Sequence, residues 1–238
     1  MDITLVGGGW DVLAQTECLR PFLAAASSRA GASRPRVGLV RVDEADGGAW
    51  GERWAALLEA AGDLEPVSVV VPLGEALDPS RLSDLDGLFV CGGLTPAYAA
   101  ALAPAAEVIR RLVLEQGVPY AGSSAGAAVA ARRALVGGYL DGGRVVCPPD
   151  AAEDLEEVTV VAGLGLVEQV VDVHASDWGT LPRLATVLRR LPGTTGLGLD
   201  EDTAWHRSEG GTEVLGSNAV HVLEPDGDVL RWSFSQRR

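Results

Sequence analysis

The 238-residue sequence lacks long apolar runs, although 47% of its residues are hydrophobic. No stretch approaches the ~18 consecutive apolar residues that a transmembrane helix needs. The N-terminal residues MDITLVGGG also lack the basic segment, apolar stretch and cleavage site of a secretory signal. We therefore expect a mature cytoplasmic protein in which residues 1–238 form one α/β domain.

Positive charge, cysteine and histidine are also scarce. Nineteen basic residues accompany 33 acidic ones, and the formal net charge of -14 disfavours nucleic acid and anionic membranes as partners. Cys18, Cys91 and Cys147 show no Cys-x-x-Cys spacing, so a disulfide framework or a thiolate zinc site is not expected. The three histidines form no pair at zinc-binding spacing, and the glycines at 7–9 lack the spacing of a nucleotide-binding loop. We expect neither a metal nor a cofactor.

Short apolar segments alternate with helical patterns in the first half of the chain. The predicted strands are residues 3–6, 37–40, 67–71, 88–91 and 118–121. This alternation predicts a doubly wound, mostly parallel sheet with helices on both faces. From Thr203 onward, short alternating segments with glycine turns predict a C-terminal β-meander. Ligands bind outside the carboxyl ends of such parallel strands, where the glycines at 7–9, 92–93 and 122–126 all fall.

The segment 118–129, VPYAGSSAGAAV, contains a Gly-x-Ser-x-Gly motif at Gly122, Ser124 and Gly126. A serine on so tight a strand-to-helix turn needs glycine neighbours, because a Cβ on either side would clash with the backbone. The motif also fits a small-residue turn that merely packs a helix against its strand. Its position between a predicted strand and a predicted helix favours Ser124 as a nucleophile.

A serine nucleophile needs a base, and the chain offers His174, His206 and His221. His206 and His221 fall in short C-terminal strands, where we expect ordinary structural positions, exposed or at an edge for His221. His174 ends the apolar run 170–173 and precedes a loop, which is a position typical of a catalytic residue. A satisfied histidine at a strand end is the alternative.

The third residue of a triad would be a carboxylate that orients the imidazole. Asp172 is too close to His174 in sequence to do this easily, and Glu201, after a short predicted strand, is better placed. The acids at 200–202 also fit a solvated turn. The order Ser124, Asp172, His221 would match an α/β-hydrolase esterase, which we rank second because the chain ends in a predicted meander. Backbone amides of Gly93 and Ala125 are the expected oxyanion donors.

Several segments together resemble the cyanophycinase and dipeptidase E family of serine peptidases. They are FVCGG (89–93), GSSAGA (122–127), GLGL (163–166), DVH (172–174), RL (183–184) and GLDEDTA (198–204). The resemblance implies a class I glutamine amidotransferase-like fold and a triad of Ser124, His174 and Glu201. The dipeptidase E branch implies an aspartate between serine and histidine, for which Asp141 is the nearest match.

The resemblance also implies substrate contacts, and at these positions the chain departs from the family. Thr95 stands where cyanophycinases carry a glutamine, and Trp178 and Thr180 stand where they carry two arginines. We assign Thr95, Asp172 and Trp178 to substrate binding. The expected function is metal-independent hydrolysis of a short peptide or peptide-like amide. Whether the protein forms a homodimer is left open. A catalytically inactive binding protein of the same fold is the competing hypothesis.

Overall fold

The computed structural model describes residues 1–44 and 49–236. The helices in these ranges are α1 (Val12–Ala30), α2 (Ala49–Ala61), α3 (Thr95–Leu102), α4 (Ala106–Arg110), α5 (Ala125–Val129) and α6 (Leu181–Arg190). The strands are β1 (Ile3–Val6), β2 (Arg36–Asp43), β3 (Glu65–Pro72), β4 (Gly87–Val90), β5 (Tyr120–Ser123), β6 (Arg133–Gly137), β7 (Leu140–Asp141), β8 (Arg144–Val145), β9 (Thr159–Ala162), β10 (Val170–Val173), β11 (Gly196–Leu199), β12 (Thr203–Ser208), β13 (Gly211–Gly216), β14 (Ala219–Asp226) and β15 (Val229–Gln236). No helix of the described ranges combines the length and the apolarity needed to cross a membrane.

The main sheet has seven strands in the order β13-β12-β1-β5-β4-β2-β3. The five strands predicted from apolar runs are β1 to β5, and they pair in parallel. At one edge β12 and β13 add antiparallel strands. The predicted α/β fold with a mostly parallel sheet is therefore confirmed.

A second sheet has four strands in the order β10-β11-β14-β15. β10 and β11 are parallel, whereas β14 and β15 continue the sheet antiparallel. The C-terminal strands are antiparallel as predicted, but they do not form one meander. β12 and β13 pair onto the edge of the main sheet beside β1, whereas β14 and β15 extend the second sheet from β11. The four C-terminal strands are therefore split between the two sheets.

The two sheets share one apolar core. Val173 and Leu199 of the second sheet belong to the same buried cluster as Leu5 and Val6 of the main sheet. Backbone hydrogen bonds join the sheets at their ends, from the His174 amide after β10 to the carbonyl oxygen of Gly7 after β1 at 3.0 Å among others. This junction brings the carboxyl ends of parallel strands from both sheets to one place.

A buried ion pair ties α6 to the second sheet. Arg183 Nη2 lies 2.7 Å from Asp172 Oδ1, Arg183 Nε lies 3.0 Å from Asp172 Oδ2, and both side chains are buried. Arg183 Nη1 donates to the carbonyl oxygen of Ala151 at 2.5 Å. Because Asp172 lies two residues before His174, one guanidinium connects that strand with the segment around Ala151.

Replacing the arginine should be costly, because Asp172 would keep a buried charge without a cation. We expect Arg183→Met to lower the free energy of unfolding by about 3–5 kcal/mol, measured by urea denaturation. Arg34→Met is the control, since Arg34 pairs with Asp63 on the surface and should contribute little. Equal effects of the two substitutions would show that the buried pair does not stabilise the fold as described.

Candidate active site

Ser124 occupies the strained turn between β5 and α5. Its φ is 51° and its ψ is -114°, and its amide donates to the Val6 carbonyl oxygen at 2.9 Å. A Cβ on Gly122 would lie 2.3 Å from the Gly126 carbonyl oxygen, and a Cβ on Gly126 would lie 2.1 Å from the Val90 carbonyl oxygen. The steric reason given for the Gly-x-Ser-x-Gly spacing therefore holds in the structure.

His174 follows β10 and faces Ser124 across the junction of the sheets. Its Nε2 lies 2.8 Å from Ser124 Oγ, and its Nδ1 lies 2.7 Å from Glu201 Oε1. Glu201 accepts hydrogen bonds when ionised, so Nδ1 carries the proton and Nε2 is free to accept from the serine hydroxyl. The structure thus brings the three predicted residues into one hydrogen-bonded chain.

The loop that carries Glu201 is held by residues that the sequence analysis did not single out. The Glu201 amide donates to Asp177 Oδ2 at 3.0 Å, and Asn218 Nδ2 donates to the Glu201 carbonyl oxygen at 2.9 Å. Asp177 stands three residues after His174, which is the one sequence signal that could have indicated its role. The residues next to Asn218 in the sequence give no signal of its contact with Glu201.

The surroundings of His174 act on its pKa in opposite directions. Burial lowers the pKa of the imidazole, while the hydrogen bond and charge of Glu201 raise it, followed by the charges of Asp172 and Asp177. Burial has the larger effect, so the pKa lies below the ordinary value of 6.5. Near neutral pH the ring is therefore unprotonated and able to take a proton.

The alternative triads are not assembled. The Asp172 carboxylate is buried against Arg183, so it faces neither His221 nor the space beside Ser124. Its predicted role in substrate binding does not fit this position. Asp141 forms ion pairs with Arg189 and Arg190, away from the serine.

His221 is not the exposed or edge residue that its strand predicted. It is buried, and its Nε2 lies 3.0 Å from Asp200 Oδ1 while its Nδ1 accepts a hydrogen bond from Trp232 Nε1 at 3.2 Å. β14 is an inner strand of the second sheet, and the rings of Trp232 and Phe234 from β15 help to enclose the imidazole, with centroids 5.7 and 6.3 Å away. His206 is buried as well, with Nδ1 3.0 Å from Thr4 Oγ1.

Both residues predicted as oxyanion donors belong to the surroundings of Ser124. Ala125 follows it at the start of α5, and Gly93 lines the cavity beside it. Among the described residues, neither amide donates to a protein acceptor. Thr95 is placed differently from the prediction, because α3 begins there and its side chain turns into the core, leaving Leu94 at the cavity.

A cavity of about 580 Å³ opens beside Ser124 and His174. Its aromatic residues are Trp10, Trp50, Trp54 and Trp178, and its charged residues are Glu44, Asp150, Glu153, Asp154 and Arg41. Trp10 contacts Trp54 and Trp50 with tilted rings whose centroids are 4.4 and 5.2 Å away. Burial raises the pKa of the Glu153 carboxyl. No group of His, Cys, Asp and Glu side chains in the described ranges has the arrangement of a metal site.

Comparisons with known proteins identify the family of the chain. A family model described as peptidase family S51 matches residues 64–215. Over 231 residues the chain is 29% identical to the cyanophycinase of Trichormus variabilis (strain ATCC 29413 / PCC 7937), covering 94% of this chain and 73% of that protein. It is 28% identical over 233 residues to the cyanophycinase of Synechococcus elongatus, covering 94% and 68%.

The fold is similar to that of a solved structure, a peptidase from an acI-B1 Actinobacterium. The TM-score is 0.68, with 98% of this chain and 93% of that chain covered. The sequences are 19% identical, so this likeness concerns the fold alone.

The pKa balance at His174 leads to a testable expectation. The imidazole should titrate below pH 6.5, and Glu201→Gln should lower the midpoint further, because the carboxylate is the main group that raises it. Imidazole NMR can follow this, since the chain contains three histidines. A midpoint above 6.5 in the wild type, or one that rises in Glu201→Gln, would contradict the described balance of burial and charge.

Proposed function

Because the chain belongs to peptidase family S51 and is a serine-type peptidase, we propose that it cleaves short peptides or peptide-like amides through an acyl-enzyme on Ser124. The observation that carries the proposal is the hydrogen-bonded chain Ser124–His174–Glu201 beside the cavity. Each distance is within the range needed for proton transfer or for orientation of the base.

Acylation follows from the positions of these atoms. Ser124 Oγ attacks the substrate carbonyl carbon, and its proton passes to His174 Nε2 as the carbonyl oxygen becomes an anion. Glu201 holds Nδ1–H and stabilises the imidazolium. The imidazolium then protonates the leaving nitrogen, the C–N bond breaks, and an ester remains on Oγ. Water, with its proton taken by His174, hydrolyses that ester.

The oxyanion would be bound by the amides of Gly93, at the cavity wall, and Ala125, directly after the serine. Removal of one such donor in a serine hydrolase typically reduces the rate by about 10²–10³-fold. The absence of a protein acceptor for either amide, among the described residues, supports this assignment.

A fluorophosphonate separates hydrolysis from an inactive binding role. We expect the reagent to label Ser124 in the folded protein. Ser124→Ala should abolish both labelling and peptide cleavage, because the nucleophile that attacks the phosphorus atom and the substrate carbonyl is then missing. Glu201→Gln should slow labelling by about 10²-fold or more, since the base loses its orienting carboxylate. Mass spectrometry of the labelled peptide gives the readout.

Asp141→Asn is the matched control, because that carboxylate pairs with surface arginines. It should label at the wild-type rate. Folded protein that resists labelling would favour the binding role, and a large loss in Asp141→Asn with none in Glu201→Gln would overturn the proposed triad.

We extend the proposal to substrate class from the residues that line the cavity. The curated relatives are cyanophycinases, but Thr95, Trp178 and Thr180 replace the residues with which the family contacts its substrate, so cyanophycin is not carried over. The described lining contains four carboxylates and one arginine, together with tryptophan rings. These features favour a basic, neutral or apolar residue next to the scissile bond over an acidic one.

A library of short peptides, including β-aspartyl ones, tests this preference through kcat/KM. The kcat/KM of peptides with arginine or an apolar residue should exceed that of peptides with aspartate. The double substitution Asp150→Asn and Asp154→Asn should reduce the kcat/KM advantage of arginine peptides about fivefold, a size typical of partly exposed charge pairs. Glu157→Gln is the control, since this exposed acid binds the turn at 142–143 instead. Strong selection for aspartate would contradict the proposal.

A further inference from the structure

The Trp178 indole lies flat on the imidazole of His174. The ring centroids are 3.8 Å apart and the planes differ by 7°. The Trp178 amide donates to the His174 carbonyl oxygen at 2.8 Å, so one backbone turn brings the indole back over the ring. Trp178 is 38% exposed and lines the cavity, so it is not a core residue.

The other sides of the imidazole are occupied by different groups. Ser124 Oγ meets Nε2, Glu201 Oε1 meets Nδ1, and the Gly8 backbone lies so near that an added Cβ would be 2.1 Å from Cε1. His174 itself is 6% exposed. The indole therefore covers one face of the ring at the cavity, and it can offer a substrate its remaining face and its edges.

Building on the proposed function, we propose that Trp178 is a positioning residue that stabilises the protonated form of His174 during acylation. When Ser124 Oγ bonds to the substrate carbon, its proton moves to Nε2 and the ring becomes a cation beneath the π face of the indole. A cation over an aromatic face is attracted by the ring quadrupole. The neutral ring present before attack lacks this attraction, so the contact favours the charged intermediate over the resting state.

Two effects of the indole on the pKa of His174 have opposite signs. As an apolar cover it excludes water and disfavours the cation, whereas as a π face it favours the cation. The carboxylates of Glu201, Asp172 and Asp177 also favour the cation and stay in place when Trp178 is changed. A pair of substitutions that both keep an apolar cover, one with a π face and one without, separates the two effects.

Trp178→Phe and Trp178→Leu provide that pair. We expect the His174 midpoint, measured by imidazole NMR, to be about one pH unit lower in Trp178→Leu than in the wild type, with Trp178→Phe close to the wild type. The acidic limb of the kcat/KM profile should move with it. kcat at neutral pH should fall about tenfold in the leucine variant, with a smaller change in KM.

Trp50→Leu is the control for the cavity wall, because Trp50 lines the same cavity and its ring contacts Trp10. It should alter KM without moving the His174 midpoint. Identical midpoints in the leucine and phenylalanine variants, or a higher midpoint in leucine, would overturn the proposal and leave Trp178 as an apolar cover. The NMR titration needs no turnover, so failure of the proposed hydrolysis would appear separately, as unlabelled Ser124 in the wild type.

Discussion

The backbone of Gly7 and Gly8 is the place where the main sheet and the second sheet touch. A Cβ on Gly7 would lie 2.2 Å from the Asp200 carbonyl oxygen, and one on Gly8 would lie 2.1 Å from Cε1 of His174. No side chain fits at such distances, so only glycine allows the end of β1 to approach the loops that follow β10 and β11. The serine belongs to one sheet and its base to the other. This contact therefore sets the distance between Ser124 and His174.

Backbone strain on both sides of that junction shapes the site. Ser124 and His174 each have a φ of 51°, which residues with a Cβ rarely adopt and which costs about 1–3 kcal/mol per residue. Their amides bond to the carbonyl oxygens of Val6 and Gly7, the last residue of β1 and the one after it. The two reactive side chains are thus aimed by the main chain, and the shared core supports the strained conformations.

Hydrogen bonds of one side chain link the acidic wall of the cavity to the strand that carries the catalytic base His174. Arg183 binds the Asp172 carboxylate in the strand that leads to His174, and the same guanidinium binds the Ala151 carbonyl oxygen in the segment that carries the acidic wall. Glu153 of that segment accepts a hydrogen bond from the Thr95 amide at the start of α3. The negative wall is therefore anchored to the same elements that hold the reacting groups.

The order of strands and helices and the turn at Ser124 could be predicted from the sequence. Both depend on neighbours along the chain: continuous apolar runs form buried parallel strands, and glycines two positions on either side of the serine permit one tight turn. The choice of Glu201 needed the family resemblance as well. The enclosure of His221, the pairing of Asp172 with an arginine and the stacking of Trp178 on His174 were decided by the tertiary structure. A polar or aromatic side chain takes its role from the groups packed around it, and folding brings many of these from distant parts of the chain.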